Sequence, residues 1–391
     1  MRVREGYVFV SSEIGRGHPF YLDGVADSLA ESEFSDLVCA RHGVFDLSRG
    51  PARSGWRAVR ALYRLGGLGA VGKRFYEAVR GVATGRAEGR SPSLPRFLGA
   101  GWARTLAGKP VVVDHPLLVA TLSPWAVVWY VHGEVVVPPE CLRARPFAVF
   151  VPLAETAREF HRAFGNETRV YVTGLCVERG LVGRAPSAFE ERVRRLSGTG
   201  PLTAALFGSG AEPTGHVRLL ALAARSLREC GQRVFAFARE GGRFHRALSS
   251  GRLVRDVELA LFRTRKDLEN DTVRLLPCVD VLVAPAHERT AWALGLGLPM
   301  FVLSPDIGPF APRNRQFLLA RGVAEELRSE NDARVFGRRL LVLREEGRLA
   351  RMAEAGRGLP VDGFRVAAEI LALVASGREE EAEKWRFRGE G

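Results

Sequence analysis

Ser11-Ser12-Glu13-Ile14-Gly15-Arg16-Gly17-His18-Pro19 gathers a carboxylate, two glycines and an imidazole within nine residues. An apolar run, Tyr7 to Val10, precedes it and a helical stretch, Leu22 to Leu29, follows, so Gly15 and Gly17 shape a turn from strand to helix. Such a turn leaves backbone N–H groups and the positive end of a helix directed at an anion. His18 is then close to whatever anion or hydroxyl the site holds, and Glu13 is placed to supply a base or to orient His18.

A second polar group lies far along the chain. His287-Glu288-Arg289-Thr290 follows the apolar run Val281–Val283, and Arg313-Asn314 follows a further strand. Two helix N-termini there can hold a diphosphate, with Arg289 gripping it bidentately and Arg313 and Asn314 either capping a helix or joining in. Gly208-Ser209-Gly210 is another strand-to-helix loop, whose serine can donate to a phosphate. His115 stands at a strand end beside Asp114, and His132 and Glu134 follow the run Ala126–Val131. Strand ends of this kind are where open α/β sheets bind ligands.

These groups must be positioned by the elements between them. Val8–Val10, Val111–Val113, Ala126–Val131, Phe147–Val151 and Val170–Val172 read as buried parallel strands, with helices Asp23–Ala30 and Ala154–Phe164 among them. Glu178–Pro201 reads as a polar linker that includes a charged helix, Ala188–Leu196. The pattern restarts with strand Leu202–Phe207, helix Val217–Glu229 and strand Val234–Ala238. It continues through helix Thr290–Gly295 and strand Met300–Leu303 to an apolar helix, Val366–Val374. The expected fold is α/β, with two Rossmann-like domains facing a cleft. Residues 1–180 form the first, 198–376 the second, and 377–391 a charged tail that is frayed or packed on the surface.

Composition narrows the function classes. A chain of 391 residues exceeds one ordinary core. No apolar run is long enough to span a bilayer, and the first strand begins too early to leave room for a signal peptide, which favours the cytoplasm. The cysteines Cys39, Cys141, Cys176, Cys230 and Cys278 are scattered without a C-x-x-C pair, so neither zinc nor a disulfide framework is expected. Of the net charge of +13, +10 falls between Pro51 and Pro110. Arg53, Arg57, Arg60 and Arg64 form one arc of a helix that also carries Trp56 and Tyr63. A basic helix with interfacial aromatics suits an anchor lying in the plane of a membrane. The charge alone also tolerates nucleic acid, but no recognised nucleic-acid module accompanies it, and no nucleic-acid partner is expected.

In order along the chain, Gly15-Arg16-Gly17-His18, Asp114-His115-Pro116-Leu117-Leu118, Thr173-Gly174-Leu175-Cys176-Val177, Pro285 with Ala291, Ala293-Leu294, Gly297 and Pro299, and finally Asn314, Phe317-Leu318 and Gly322 form one series. The series resembles the two-domain GT-B glycosyltransferases of the group that includes monogalactosyldiacylglycerol synthase and the peptidoglycan N-acetylglucosaminyl transferase (glycosyltransferase family 28). Trp292 stands where that group carries the glutamate that grips the donor ribose, and Glu288 is the neighbouring carboxylate.

The resemblance implies a metal-independent hexosyltransferase with no cofactor beyond its nucleotide-diphosphate-sugar co-substrate, a UDP-sugar being favoured. His18 would deprotonate or orient the acceptor hydroxyl, with His115, His132 and Glu134 lining the acceptor side. Gly208, Ser209, Gly210, His287, Glu288, Arg289, Thr290, Arg313 and Asn314 would hold the donor. The acceptor is expected to be lipid-linked, which makes the protein peripheral on the inner face of a membrane. A nucleotide-sugar epimerase or hydrolase of the same fold, and a non-catalytic protein that binds nucleotide sugar or membrane, are the alternatives.

Overall fold

The computed structural model describes residues 6–15, 17–66, 93–249 and 257–389, with the side chains of residues 64–66 also outside that set. The chain divides into two units. One holds the described residues up to 66, those from 93 to 176, and everything from Asp362 onward; the other is the continuous stretch Val177–Val361.

Each unit is built on a parallel sheet with six strands among the described residues. In the first unit these are β1 (Tyr7–Ser11), β2 (Val38–Gly43), β3 (Pro110–Val113), β4 (Val127–Val131), β5 (Ala148–Val151) and β6 (Arg169–Val172), in the order β2-β1-β3-β4-β5-β6. The second unit has β7 (Thr203–Phe207), β8 (Arg233–Arg239), β9 (Glu258–Phe262), β10 (Val281–Ala284), β11 (Met300–Leu303) and β12 (Ala324–Leu327), in the order β12-β11-β10-β7-β8-β9. Val111, Val112 and Val113 are all buried, as are Val281, Leu282 and Val283. A strand covered on both faces needs apolar side chains on both, and that is why these strands read as unbroken valine-rich runs. β2, β9 and β12 lie at sheet edges and lack such runs, so periodicity did not reveal them.

The helices used below are α1 (Gly17–Ala30), α2 (Val44–Leu47), α3 (Gly50–Gly66), α4 (Pro116–Leu122), α5 (Thr214–Glu229), α6 (Arg243–Ser249), α7 (Thr290–Gly295), α8 (Ala311–Ala320) and α9 (Gly363–Ala375). Among the described residues no helix is long and apolar enough to cross a membrane.

Two expected boundaries move. α9 packs on α1 inside the first unit, so residues 362–376 do not belong with the second domain. The Tyr7 hydroxyl donates to the Leu371 carbonyl at 3.0 Å, and the Phe364 ring packs on Phe20 with centroids 5.1 Å apart. The tail is ordered against the sheet edge: Phe387 N–H donates to Val170 O at 2.8 Å, beside a bridge between Tyr171 and Arg386. Glu178–Pro201 is not a linker either, because Phe189, Arg192 and Leu196 are buried in the second unit. Arg192 is nearly unexposed and donates to the carbonyls of Val279 and Leu296, the latter at the end of α7.

The α1–α9 contact has a measurable signature. A Cβ on Gly24 would lie 2.5 Å from the Phe364 ring. Gly24→Ala is expected to destabilise the protein by about 1–3 kcal/mol through overpacking, and Phe364→Ala by about 3–5 kcal/mol through the void it leaves. The double variant should fall well short of the sum, because the added methyl enters that void. Denaturant unfolding of the four proteins checks this.

Candidate functional site

β1 and β3 are neighbours in the first sheet although β2 comes between them in the chain, and their carboxyl ends carry the Ser11–His18 loop and Asp114. Asp114 has no exposed surface. Its Oδ2 accepts from Ser11 Oγ at 2.8 Å and its Oδ1 from Ser12 N–H at 2.9 Å. Its main-chain carbonyl meets His18 Nδ1 at 2.8 Å. A carbonyl can only accept, so Nδ1 carries the hydrogen and the neutral ring keeps its acceptor lone pair on Nε2. Burial pushes the Asp114 carboxyl up to about 7, against the Ser12 and Ser11 hydrogen bonds, which pull it down.

His115 joins this group. It is the N-cap of α4, where its Nδ1 accepts from Leu117 N–H at 3.1 Å. The ring is therefore neutral with its hydrogen on Nε2, the opposite tautomer to His18. Burial, and then the nearness of His18, hold its pKa well below the usual histidine value. The two ring centroids are 4.6 Å apart, edge to face.

Glu13 is directed elsewhere. Its Oε2 accepts from Phe45 N–H at 3.3 Å at the start of α2, so it caps that helix, and the main chain of Asp114 is what orients His18. Gly15 has φ +72°, and a Cβ there would also lie 3.2 Å from the Tyr63 hydroxyl of α3. His132 is 2% exposed, with Nε2 on Val136 O at 3.0 Å and Nδ1 on the Tyr130 hydroxyl at 3.1 Å. Burial pushes it down to about 3, which makes it a neutral ring that fixes the loop after β4. Glu134 is buried in that loop.

The basic helix α3 differs from an interfacial anchor in one respect. Trp56 is 0% exposed and its Nε1–H donates to Leu98 O at 3.1 Å, so it pins α3 to the unit's core. Arg57 is exposed, Arg53 half-buried, and the Arg60 guanidinium lies 4.2 Å over the Phe45 ring. The side chain of Arg64 and most of the basic stretch that follows lie outside the described residues.

In the second unit, β7 and β10 stand in the same relation as β1 and β3. Gly208, Ser209 and Gly210 follow β7, and His287, Glu288, Arg289 and Thr290 follow β10. Arg289 is 7% exposed, pairs with Glu288, and places its guanidinium 4.2 Å over the Phe207 ring. Asn314 of α8 is buried and donates to Ala286 O at 3.1 Å, and Thr290 Oγ1 donates to His287 O; both brace the loop after β10. Arg313 is exposed. His216, in the first turn of α5, is fully buried, with Nε2 on Pro305 O at 2.8 Å. Burial pushes it down to about 4, so it is neutral.

Ser209 Oγ, Arg289 Nε and His216 Nδ1 are buried polar atoms with no hydrogen-bond partner among the described residues. All three lie near the carboxyl ends of β7, β10 and β11. Unpaired polar atoms cost free energy on burial, and their grouping at a strand edge marks a place for a polar ligand. Trp292 supports that edge from within, with the Arg289 guanidinium 5.1 Å over its ring. It is 2% exposed, packs edge-on to Phe207 at 5.2 Å, and donates Nε1–H to Glu178 Oε2 at 2.8 Å.

Sequence reasoning gave no role to three residues. Asp114 was visible as a charge ending a valine run, and His216 as a histidine beginning a helix after a glycine loop. Glu178 gave no signal, since its partner lies 114 residues away. No group of metal-binding side chains occurs among the described residues.

No family model and no curated protein matches the chain. Solved structures do. MurG of Acinetobacter baumannii aligns at 13% identity and TM-score 0.52, over 94% of this chain and 99% of its own. UDP-GlcNAc 2-epimerase of Neisseria meningitidis, bound to UDP-GlcNAc, aligns at 12% identity and TM-score 0.56, over 95% and 100%. S. aureus MnaA in complex with UDP aligns at 9% identity and TM-score 0.54, over 94% and 95%. The likeness establishes the fold: two Rossmann-like domains of the GT-B type.

The Glu178–Trp292 contact makes a prediction in pH. Burial raises the Glu178 carboxyl to about 6, above its unfolded value, so ionising it destabilises the folded protein as pH rises through that range. Glu178→Gln keeps an acceptor for Trp292. Its stability relative to the parent should be near zero at pH 4 and favourable by about 2 kcal/mol at pH 8, measured by urea unfolding across pH.

Proposed function

We propose that the protein is a glycosyltransferase that moves a sugar from a nucleotide-diphosphate sugar to a hydroxyl. The observation that carries this reading is the pairing of two unlike polar sets at equivalent places in the two sheets. One is a histidine whose tautomer leaves Nε2 as acceptor; the other is a set of buried polar atoms without hydrogen-bond partners, Ser209 Oγ, His216 Nδ1 and the Nε of Arg289, whose other end pairs with Glu288. In this scheme His18 Nε2 takes the proton of the acceptor hydroxyl as its oxygen bonds to the anomeric carbon. The bond from that carbon to the diphosphate breaks from the opposite face, which inverts the configuration. Arg289, Ser209 and the amides at the start of α5 then meet the charge that develops on the departing diphosphate. Two of the fold relatives hold UDP or UDP-GlcNAc, which favours a uridine donor.

A lipid-linked acceptor draws support from the first unit's surface. Phe97 is 45% exposed and lies against Gly55 of the basic helix, and Trp125 is 39% exposed beneath the Arg104 guanidinium. Exposed aromatics beside arginines suit a bilayer interface, and so a peripheral location on an anionic membrane. Epimerisation of the nucleotide sugar is the second reading, favoured by the epimerase among the fold relatives.

Calorimetry with UDP, GDP, ADP, CDP and dTDP tests the donor half. Saturable binding with a preference for UDP is expected, and Arg289→Met should weaken it about tenfold to a hundredfold. Silence across the panel from folded protein sinks the reading. With a UDP-sugar and an acceptor in hand, His18→Ala should lower kcat by about 10²–10⁴ while leaving UDP affinity intact. Loss of nucleotide binding in that variant would contradict the assigned roles.

A further inference from the structure

The three unpaired buried atoms at the strand edge of the second unit differ in what they ask of a ligand. Arg289 Nε–H only donates and the Ser209 hydroxyl can donate, so both suit phosphate oxygens. His216 is different. Its Nε2 meets the Pro305 carbonyl at 2.8 Å, and a carbonyl only accepts, so Nε2 holds the hydrogen. Nδ1 is therefore a bare acceptor, on a ring with no exposed surface that burial keeps neutral. Ser209 does not fill it, since neither atom has a partner among the described residues. A phosphate oxygen there would set lone pair against lone pair with no hydrogen between them. Nδ1 calls for an O–H or an N–H.

Its place in the sheet narrows the donor. α5 follows β7, yet its first turn reaches past the end of β10 to the loop after β11: besides the His216 bond, a Cβ on Gly215 would lie 3.8 Å from the Pro305 ring. His287, after β10, is close enough for its charge to bear on the same ring. Arg289 lies over Phe207, at the end of β7. A diphosphate held by Arg289, Ser209 and the first-turn amides of α5 thus has His216 on its β11 side. On the other side, the ends of β8 and β9 border an open cavity of about 480 Å³ lined by Arg239, Glu240, Gly241 and Arg263, which leaves room for the nucleoside. The sugar is then the part that faces His216.

We propose that His216 reads the transferred sugar: its Nδ1 accepts a hydrogen bond from a ring hydroxyl or an acylamino N–H of the hexose carried on the diphosphate. This role rests on the reading of the strand edge as a nucleotide-sugar site and adds the residue that chooses among sugars. A hexose without that group, or with it in the wrong epimeric position, leaves a buried acceptor unpaired, and such a vacancy discriminates more sharply than a change of apolar shape.

Calorimetry on the intact protein compares UDP with UDP-glucose, UDP-galactose and UDP-GlcNAc. His216→Phe keeps a ring of similar size and removes the lone pair. The affinity for the preferred sugar nucleotide, taken relative to that for UDP, should fall about tenfold in this variant. A fall confined to UDP-GlcNAc assigns the donor to the acylamino N–H; a fall shared with UDP-glucose or UDP-galactose assigns a hydroxyl. Should the variant fail to fold, the parent alone carries the test. Analogues of the preferred sugar nucleotide, each lacking one hydroxyl or the acetamido group, should bind alike except for one that loses about tenfold. Nitrogen-15 NMR of the His216 ring should show Nδ1 shifting to a hydrogen-bonded position with the full sugar nucleotide, and not with UDP or with that analogue.

Three results overturn the proposal and leave a nucleotide site standing. An equal loss of UDP affinity in the variant puts ribose, base or phosphate at Nδ1. A protonated Nδ1 in the UDP complex makes the ring a phosphate clamp. A ratio that neither the substitution nor any analogue changes leaves Nδ1 to a buried water. Silence with UDP and all three sugar nucleotides from folded protein removes the functional reading together with the role of His216.

Discussion

Both sheets begin at an inner strand, β1 or β7, grow outward to one side, and then add strands on the other side of the starting one. The loops leaving β1 and β3, or β7 and β10, consequently run to opposite faces, and the backbone parts above the strands between them. Nothing in the side chains is required to open these two places; the order of the strands opens them. What the sequence then supplies is a different polar set for each: serines, an aspartate and histidines in the first unit, an arginine, a serine and a histidine in the second.

Within each place the main chain does much of the chemical selection. Two histidines a few ångströms apart hold opposite tautomers because one faces the Asp114 carbonyl and the other the Leu117 N–H. The second unit shows the same economy around an unusual residue. Trp292 occupies the position at which the resembled group carries a ribose-binding glutamate, yet its indole turns into the core and recruits Glu178 from the start of the unit. The tryptophan is thus a packing residue whose one polar atom is satisfied internally, and its presence leaves the strand edge to Ser209, His216 and Arg289.

The inner strands were legible because burial on both faces forces a simple code, and the strand-to-helix loops followed from glycine and charge placed after such runs. The edge strand β6 was still legible from Val170–Val172, but β2 and β12 escaped: they lie at sheet edges, and their sequences, Val38-Cys39-Ala40-Arg41-His42-Gly43 and Ala324-Glu325-Glu326-Leu327, lack the pattern. His18, Ser209 and Arg289 were found as residues, but their hydrogen-bond states were not, since those depend on carbonyls and rings far away in the chain. Glu13 and Trp56 show the limit from the other side. A carboxylate near a histidine, and a tryptophan among arginines, look functional in one dimension, and only the positions of α2 and Leu98 reveal a helix cap and a core anchor.

The return of the chain from Asp362 onward into the first unit bears on how the protein is made. The second unit is one unbroken segment and has all its parts as soon as Val361 is synthesised. The first unit, although begun before it, stays incomplete until the segment from Asp362 onward arrives, because α1 lacks the helix that Phe364 anchors and β6 lacks its closing neighbour. The histidine loop therefore acquires its lasting support from a segment made after the whole second unit, and a ribosome that stops at Val361 leaves the later domain whole and the earlier one without its back wall.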